Sequence, residues 1–548
     1  MWNSLRGWGA RSHGRRKVRS TDVRVLRGRH FKKTKDTMSE AAGADGQGSG
    51  KRVRPDLFDT PKPPKNLRRS SVRGASMVSA SRAGSLVLRF GSTAILARIL
   101  APEDYGLVAM TAVVSGFFGM FMDVGLTAAT IQREQISHRQ ISTLFWVNVS
   151  LGLLIAVIVG CLAPWVADFY DEPRVTAITR ALSATFVLGG LAVQHQALLR
   201  RHMRFKDLAI NDVLSTVVGI AAGIAMAAAG CGYWSLVGIT VATAAAKLIG
   251  LWLTLRWIPG PPRRGTGVMP MLKFGGDILG FGIVNYFSRQ ADTILIGRFF
   301  GPLPLAHYEK AYSLLLVPIT QINAPLSSVA VPALSRSRSE PAKFSRFYLS
   351  VIQIVCSLGI PLVAGIAIFA DQVVLLWLGK DWSESADLFR LLAVAAVIGG
   401  ISNPLGWLQI SLGQTRKYRI LGIANSAVIV LSFFLGLPFG PEGVAAAYSI
   451  AMAVNFVPYW LIGLRGTPIP PRVAFASMLP PLVSCALASV PALLISRTTI
   501  PGLAPWIPSI LAALAYFATY ASVLLFGFRK WSFFRGILGE LRSAKQGS

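Results

Sequence analysis

Four polar side chains follow a helical spacing inside an otherwise apolar stretch of the chain. Arg82, Ser85, Arg89 and Ser92 lie three and four residues apart, so on an α-helix they share one face. The opposite face of residues 82–106 is apolar. A central arginine in a membrane-spanning helix costs about 3 kcal/mol on insertion scales, so it usually faces protein or a water-filled cavity. The stretch therefore predicts a helix that lines a wet cavity in a membrane, as transporters have.

The same pattern returns two hundred residues later. At that offset Arg89, Thr93, Arg98 and Pro102 align with Arg289, Thr293, Arg298 and Pro302, and Ser85 and Ser92 align with Asn285 and Asp292. At an offset of 210, Arg180, Leu182, Gly189 and Gly190 align with Arg390, Leu392, Gly399 and Gly400. Six predicted spans separate the copies, which predicts two parallel repeats with a central site between them. Chance similarity between apolar segments is the alternative, but arginine and proline are rarely fillers in membrane helices.

The composition indicates a multi-pass membrane protein. The chain has 548 residues, of which 52% are hydrophobic and 15% charged. A net charge of +31 would suggest nucleic acid for a soluble protein, but here it fits basic cytoplasmic loops, so no nucleic-acid partner is expected. Apolar runs of about 20 residues, enough to cross a bilayer, predict fourteen spans. They lie near 75–100, 105–126, 141–167, 176–198, 207–229, 233–255, 274–299, 305–330, 347–370, 385–411, 418–437, 442–464, 474–496 and 504–527.

Loop charges and composition set the predicted orientation and domains. One set of loops carries nineteen lysines and arginines and the alternate set carries three, so the positive-inside rule predicts that both termini are cytoplasmic. Residues 1–74 are basic and then proline-rich, which predicts a disordered cytoplasmic tail, with Met38 as an alternative start. Two six-helix lobes are predicted at 75–270 and 271–465. Residues 466–548 are predicted to hold the last two helices and a basic cytoplasmic tail.

Several kinds of site have no signature in the sequence. Neither a Walker A nor an HExxH motif occurs, so no ATPase or zinc-peptidase site is predicted. No loop after residue 75 is long enough for a catalytic domain, which predicts a non-enzymatic protein. No metal, cofactor or disulfide is expected, because the four cysteines stand singly: Cys161, Cys231, Cys356 and Cys485.

Aromatic and basic residues near the predicted span ends are interpreted as interface residues. Arg98 and Arg298 each close a helix just before a proline, where a long side chain can reach the headgroups. Tryptophans near span ends usually anchor a helix at the membrane surface. This interpretation covers Trp146, Trp165, Trp234, Trp257, Trp377, Trp382 and Trp460.

Four segments resemble a known family: APEDYG (Ala101–Gly106), FMDVGLTAATIQRE (Phe121–Glu134), APWVADFYDEP (Ala163–Pro173) and NYFSRQADTILIGRFFGP (Asn285–Pro302). Together they resemble the polysaccharide transporter branch of the MOP flippase superfamily, the Wzx-type flippases, over about residues 75–465. The resemblance implies an all-α membrane fold with two six-helix lobes around a hydrated cavity. It also implies an undecaprenyl-diphosphate-linked oligosaccharide as cargo. Such cargo is turned from the inner to the outer leaflet of the bacterial cytoplasmic membrane for O-antigen, capsule or exopolysaccharide export.

A diphosphate cargo gives the polar faces a specific chemistry. Arginine is always charged and pairs bidentately with phosphate. The residues predicted to bind cargo are Arg82, Ser85, Arg89, Asn285 and Arg289. Carboxylates at membrane depth are predicted to couple transport to an H⁺ or Na⁺ gradient, with Asp292 and Asp277 as candidates. An Arg289–Asp292 pair that only ties helices together is the alternative.

Two other functions stay open at this point. A cation-coupled multidrug antiporter of the same superfamily would have the same lobes, although two cavity arginines would repel a cationic drug. A membrane glycan polymerase or ligase would need a catalytic outer loop, and the predicted outer loops are short. For a flippase the expected protein partners are a polysaccharide polymerase and glycosyltransferases.

Overall fold

A computed structural model describes residues 67–122, 130–131, 136–262, 269–496 and 506–536. Within these ranges the regular structure is helical. A first set of six long helices comprises α1 (Leu67–Leu96), α2 (Pro102–Met122), α3 (His138–Tyr170), α4 (Arg174–Arg201), α5 (Phe205–Ala228) and α6 (Trp234–Leu255). The second set comprises α7 (Met269–Phe300), α8 (Pro302–Arg336), α9 (Pro341–Ile368), the short α10 (Ala370–Trp377), α11 (Ser383–Ser411), α12 (Thr415–Gly436) and α13 (Gly440–Leu464). Two further helices follow, α14 (Pro471–Ser496) and α15 (Trp506–Ser522).

The described helices are those of a multi-pass membrane protein. Eleven helical stretches in the described ranges are long and apolar enough to cross a membrane, and one of them, Thr415–Leu464, combines α12 and α13. The helices α1 and α7 are outside this set, and both carry charged residues along the predicted polar face: Arg82 and Arg89, and Arg289 and Asp292. With those two helices, the described chain contains fourteen long helices, consistent with the predicted number of spans.

The two sets of six helices repeat the same packing. In the first set α1 packs on α5, α3 on α4, and α6 on both α4 and α5. In the second set α7 packs on α12, α9 on α11, and α13 on both α11 and α12. The order of the paired helices along the chain is the same, so the sets form two parallel lobes, as the sequence predicts. The last two helices pack on each other and on α9.

Local sequence sets the limits of the individual helices, as α3 illustrates. The Ser137 hydroxyl accepts the N–H of Gln140, and the Gln140 side chain accepts the N–H of Ser137, which together form a capping box. The helix ends where Asp171 adopts a left-handed conformation (φ 56°) and its N–H bonds to carbonyls of the last turn.

Two details of the fold differ from the predicted boundaries. The helix α1 begins at Leu67, so it includes the last eight residues of the segment 1–74 that was expected to be disordered. Those residues, LRRSSVRG, follow the prolines and contain leucine and arginine, which favour a helix. Residues 1–66 lie outside the described ranges. The short helix α10 and a 3₁₀ turn (Lys380–Trp382) between α9 and α11 have no counterpart among the predicted spans.

The lobes meet at the end of the bundle where α1, α3, α7 and α9 finish. We refer to it as the acidic end, because Glu103, Asp171, Glu172 and Asp371 lie there, and to the opposite end as the basic end. A cluster of buried apolar side chains spans both lobes at this end; it includes Leu107, Met110, Tyr170, Leu305 and Trp382.

The two lobes also make a contact between backbones at this end. The start of α2 lies against the start of α8 so closely that a Cβ on Gly106 would fall 1.8 Å from the carbonyl oxygen of Pro302. Only glycine fits this position.

Candidate functional site

A cavity of about 340 Å³ opens within the second lobe. One wall is the predicted polar face of α7, made by Asn285, Ser288, Arg289 and Asp292. The other walls come from α8, α11, α12 and α13. The helical spacing read from the sequence therefore brings Asn285, Arg289 and Asp292 to one cavity.

Arg289 and Asp292 both line the cavity, but no ion pair joins these two described residues. The Asp292 carboxylate is buried and accepts hydrogen bonds from the backbone N–H of Thr293 (2.8 Å) and the hydroxyl of Tyr308 (3.0 Å). The guanidinium of Arg289 is exposed in the cavity. An anion in the cavity would therefore meet a positive charge that the nearest carboxylate does not cancel.

A second carboxylate lies next to Asp292. The hydroxyl of Thr293 donates to Glu309 on α8 at 2.8 Å, while the N–H of the same residue donates to Asp292. Thr293 thus bridges two carboxylates. The residue after Glu309 is Lys310, whose ammonium lies 3.8 Å from the ring centroid of Tyr105 in the first lobe. The carboxylate pair is therefore adjacent to the place where the lobes meet.

The rest of the cavity wall is rich in groups that can bind sugar hydroxyls. It contains asparagine amides and tyrosine rings, and Asn455 donates to the lining amide of Asn425 at 2.8 Å. Amides and hydroxyls both donate and accept hydrogen bonds, and tyrosine adds an apolar ring face. The sequence analysis missed these residues: Tyr312, Asn403, Tyr418, Asn425, Tyr448 and Tyr459. They come from four helices, and the only local signal was the small and polar stripe on α11 at Gly399, Ser402 and Asn403.

The first lobe has a corresponding cavity of about 360 Å³ between α2 and α4. Gly189, one of its lining residues, aligns with Gly399, which lines the cavity of the second lobe. Thr185, Gln196 and Arg200 supply its polar groups, and Arg200 is exposed at the basic end. The sequence analysis counted Arg200 only as a loop charge, but its spacing from Gly189 and Gln196 places it on the same face of α4.

The predicted cargo residues of α1 lie elsewhere. Arg82 and Arg89 are exposed, Ser85 is half-buried, and none of the three lines either of these two cavities. The neighbouring Ser81 donates to the carbonyl of Ala209 on α5 at 3.2 Å, which ties α1 to its own lobe. Cargo binding by Arg82, Ser85 and Arg89 stays a prediction.

Two further carboxylates lie on the long helices, Asp212 on α5 and Asp277 on α7. Asp212 forms an ion pair with Lys247 at 2.8 Å, the plain partnership expected of some intramembrane carboxylates. The side chain of Asp277 lies outside the described residues, although its backbone belongs to α7. Among the residues searched, no group of three histidine, cysteine, aspartate or glutamate side chains could hold a metal ion.

The tryptophans are only partly the interface anchors that the sequence suggested. Trp165 is 74% exposed, as an anchor would be. For Trp257, Trp382 and Trp460, which are at most 2% exposed, the interpretation is wrong. Their indoles fill junctions between helices, where a large ring gains more from burial than it would at the membrane surface.

Comparison with known proteins gives four further findings. Residues 95–387, more than half of the chain, match a family described as polysaccharide biosynthesis protein. The lipopolysaccharide biosynthesis protein WzxC of Escherichia coli (strain K12) is 22% identical over 73% of this chain and 82% of its own length. The teichuronic acid biosynthesis protein TuaB of Bacillus subtilis (strain 168) is 26% identical over 72% and 83%. A solved structure of the lipid II flippase MurJ in an inward closed conformation shares the fold, with a TM-score of 0.65 at 14% identity over 82% of this chain and 98% of that one.

Proposed function

The chain belongs to the polysaccharide biosynthesis protein family, and from that premise we propose that it is a flippase for a lipid-linked oligosaccharide. The cargo is carried on undecaprenyl diphosphate and moves from the inner to the outer leaflet of the bacterial cytoplasmic membrane. It then feeds the assembly of O-antigen, capsule or exopolysaccharide. Glycosyltransferases act before this step and a polysaccharide polymerase acts after it. Both termini are cytoplasmic, so the acidic end faces outward.

The observation that carries the proposal is the charged guanidinium of Arg289 in a polar cavity of a membrane protein. A charged side chain at membrane depth usually faces a water-filled cavity and marks a binding or transport path, so the exposed guanidinium in this cavity favours a role in binding. Diphosphate is a strong acceptor for the five N–H groups of arginine. The cavity therefore suits the diphosphate link of the cargo.

The cavity wall also suits the sugar part of the cargo. Tyrosine rings can stack on the apolar faces of sugar rings, while the asparagine and serine side chains exchange hydrogen bonds with sugar hydroxyls. The lining includes Asn285 and Ser288 on the same wall as Arg289. An antiporter for cationic drugs is disfavoured by the same observation, because Arg289 would repel the substrate.

Asp292 supplies a route for energy coupling within this proposal. Its carboxylate is held by neutral donors, so it can bind a proton or a sodium ion without first breaking an ion pair. Glu309, bridged to it by Thr293, adds a second carboxylate to the same site. Asp277 on the same helix is the alternative coupling residue.

Export in a bacterial strain that lacks its own flippase tests the proposal. Arg289→Ala is expected to lower surface polysaccharide by about ten-fold or more, because one charge-assisted hydrogen bond to the cargo is lost. Lipid-linked oligosaccharide should then accumulate in the inner leaflet. Arg289→Lys should retain part of the activity, because the charge stays but the bidentate geometry is lost. Arg346→Ala, at an exposed arginine near the basic end, is the matched control and should export normally. Normal export by Arg289→Ala, or no export by the unaltered chain, would overturn the proposal.

A further inference from the structure

The first helix of each lobe reaches onto the other lobe at the acidic end. Arg98, just beyond the end of α1, donates from its guanidinium to the carbonyl oxygen of Leu376 in α10 at 2.6 Å. Arg298, its counterpart in the repeat, lies at the end of α7 with its guanidinium carbon 5.9 Å from the ring centroid of Phe169 in α3. Both arginines therefore cross the boundary between the lobes, one in each direction.

Two tryptophans of the second lobe add hydrogen bonds to α1. The indole N–H of Trp377 donates to the carbonyl of Phe90 at 3.1 Å, and the two rings stack with centroids 4.7 Å apart. The indole N–H of Trp382 donates to the carbonyl of Ala97 at 3.1 Å. The last carbonyls of a helix lack intrahelical partners, so the Ala97 carbonyl needs a donor from outside the helix. Trp382 supplies this donor in the structure, and water can supply it when the contact opens. The contact can therefore open without leaving the Ala97 carbonyl unpaired.

The same tryptophan also holds α2. The ring of Trp382 packs edge-to-face on Tyr105 with centroids 5.3 Å apart. The ammonium of Lys310 lies on the Tyr105 ring at 3.8 Å and 5.9 Å from the Trp382 ring centroid. One short segment of the second lobe therefore contacts the ends of two helices of the first lobe.

The two crossings are built differently. On the α7 side Tyr170 packs directly on the helix backbone, because a Cβ at Gly297 would lie 2.8 Å from its ring. On the α1 side the contact is made by the segment Ala370–Trp382, which consists of α10 and the 3₁₀ turn. The corresponding connection between α3 and α4 has only three residues, 171–173. The hydrogen-bonded crossing is thus an addition to the second repeat.

We propose that Ala370–Trp382 is a latch that holds the two lobes together at the acidic end, and that it must release α1 before cargo can leave. The inference rests on the proposed function, in which the acidic end faces the outer leaflet. Arg98, Trp377 and Trp382 fasten the latch. The Arg298 crossing is the fixed side against which it closes.

Reversible cross-linking tests the latch. In a cysteine-free background that still exports, Arg98→Cys and Leu376→Cys place thiols at two exposed positions joined in the structure by an arginine side chain. A cleavable bifunctional thiol reagent of about that length should join them in native membranes. A protease site inserted between α6 and α7 reports the link, because the two halves then stay together on a denaturing gel. Export should fall by at least about ten-fold on linking and return when the linker is cleaved.

The matched control moves one cysteine along the same helix. Ala83→Cys with Leu376→Cys keeps both thiols exposed, but residue 83 lies seven residues, about 10 Å, before Phe90, the residue of α1 on which Trp377 stacks. This pair should not link. Efficient export by the linked Arg98/Leu376 pair, or failure of that pair to link, would overturn the latch. Failure of the unaltered chain to export would overturn the proposed function and the latch with it, whereas normal export by both the unaltered chain and the linked pair would overturn the latch alone.

A second measurement separates a latch from a merely structural contact. Ala97 is 2% exposed under Trp382, so a cysteine at that position should react slowly with a membrane-impermeant thiol reagent added from outside. Trp377→Ala with Trp382→Ala should raise the labelling rate by about ten-fold, whereas Trp382→Phe, which keeps the ring but removes the N–H, should raise it by less. Unchanged labelling in the double variant, with the protein still folded and inserted, would contradict the proposal.

Discussion

The two lobes share a packing pattern but differ sharply in what their second helices bury. At an offset of 200, the run Leu107, Val108, Ala109 and Met110 of α2 aligns with His307, Tyr308, Glu309 and Lys310 of α8. One run is apolar, whereas the other carries Tyr308, which donates to Asp292, and Glu309, which Thr293 links to Asp292. On the first helices, Ser92 stands where the second lobe has Asp292, while Arg89 and Arg289 are retained in both.

This difference separates two functions that the sequence repeat alone would place in both lobes. The arginine face occurs in both first helices, so attraction of an anion can be a shared property. At these aligned positions the carboxylates occur in the second lobe alone, so the coupling proposed above is assigned to that lobe. The four predictions below test the comparison between the lobes, first in function and then in packing and surface charge.

The largest effect is expected where the lobes differ most. Asp292→Ser gives α7 the residue that α1 carries at the aligned position, and removes a carboxylate that accepts two hydrogen bonds. We expect export to fall by about ten-fold or more, as for loss of a charged hydrogen-bonded group, and the residual export to lose its dependence on the ion gradient. Transport into inverted vesicles with and without an imposed H⁺ or Na⁺ gradient measures this. The control Ser92→Ala should stay within about two-fold, since its hydroxyl bonds only to the carbonyl of Arg89; an equal loss in both variants would break the comparison.

The paired arginines give the next effect. Arg289 lines the described cavity of its lobe and Arg89 does not line that of the first lobe. We therefore expect Arg89→Ala to reduce export about three-fold, less than Arg289→Ala, because a charge at greater distance contributes less to binding. Surface polysaccharide in the complemented strain is the readout for both. Equal losses would mean that the cargo contacts both first helices to the same extent.

Paired glycines test the packing half of the comparison. A Cβ at Gly190 would lie 2.6 Å from the carbonyl oxygen of Asn148, whereas at the aligned Gly400 the nearest atom is 3.7 Å away, on Ile319. Gly190→Ala should destabilise the protein by about 1–3 kcal/mol through overpacking. Gly400→Ala should be neutral or stabilise by up to about 1 kcal/mol, because alanine favours the helix. Thermal unfolding of the two variants in detergent decides between them, and equal midpoints would refute the expected asymmetry.

The smallest effect is expected at the surface of the acidic end. The hydrogen bond from Arg174 holds the pKa of Glu172 below that of an ordinary glutamate. This pair therefore adds stability above the ordinary glutamate pKa, and the contribution is lost as the pH falls through the lowered value. Glu172→Gln should cost at most about 1 kcal/mol near neutral pH and nothing in acid, as is usual for exposed pairs.

The pH dependence of the unfolding midpoint measures that contribution. Asp371→Asn, which removes one of two carboxylates bound by Arg390 in the second lobe, should cost a similarly small amount. A large loss in one lobe alone would show that the two surface networks are not equivalent.

The fold could be predicted from the sequence because a membrane helix is marked by the length of its apolar run, the helical spacing of its polar residues and the charges of the flanking loops. The face Asn285, Arg289 and Asp292 was predicted for the same reason, since its members lie on one helix at steps of three and four. Tyr312, Tyr418 and Tyr448 could not be found in this way, because three separate helices bring them together. The prediction that Trp382 anchors a helix at the membrane surface was wrong because a tryptophan near a span end has the same sequence context whether it contacts lipid or another lobe.

The contact between Gly106 and Pro302 leaves no room for a methyl group between the starts of α2 and α8, because a Cβ on Gly106 would fall 1.8 Å from the carbonyl oxygen of Pro302. Alanine at position 106 would therefore push these two helix starts apart. The addition of one carbon atom would separate the lobes at the same end that Ala370–Trp382 holds closed.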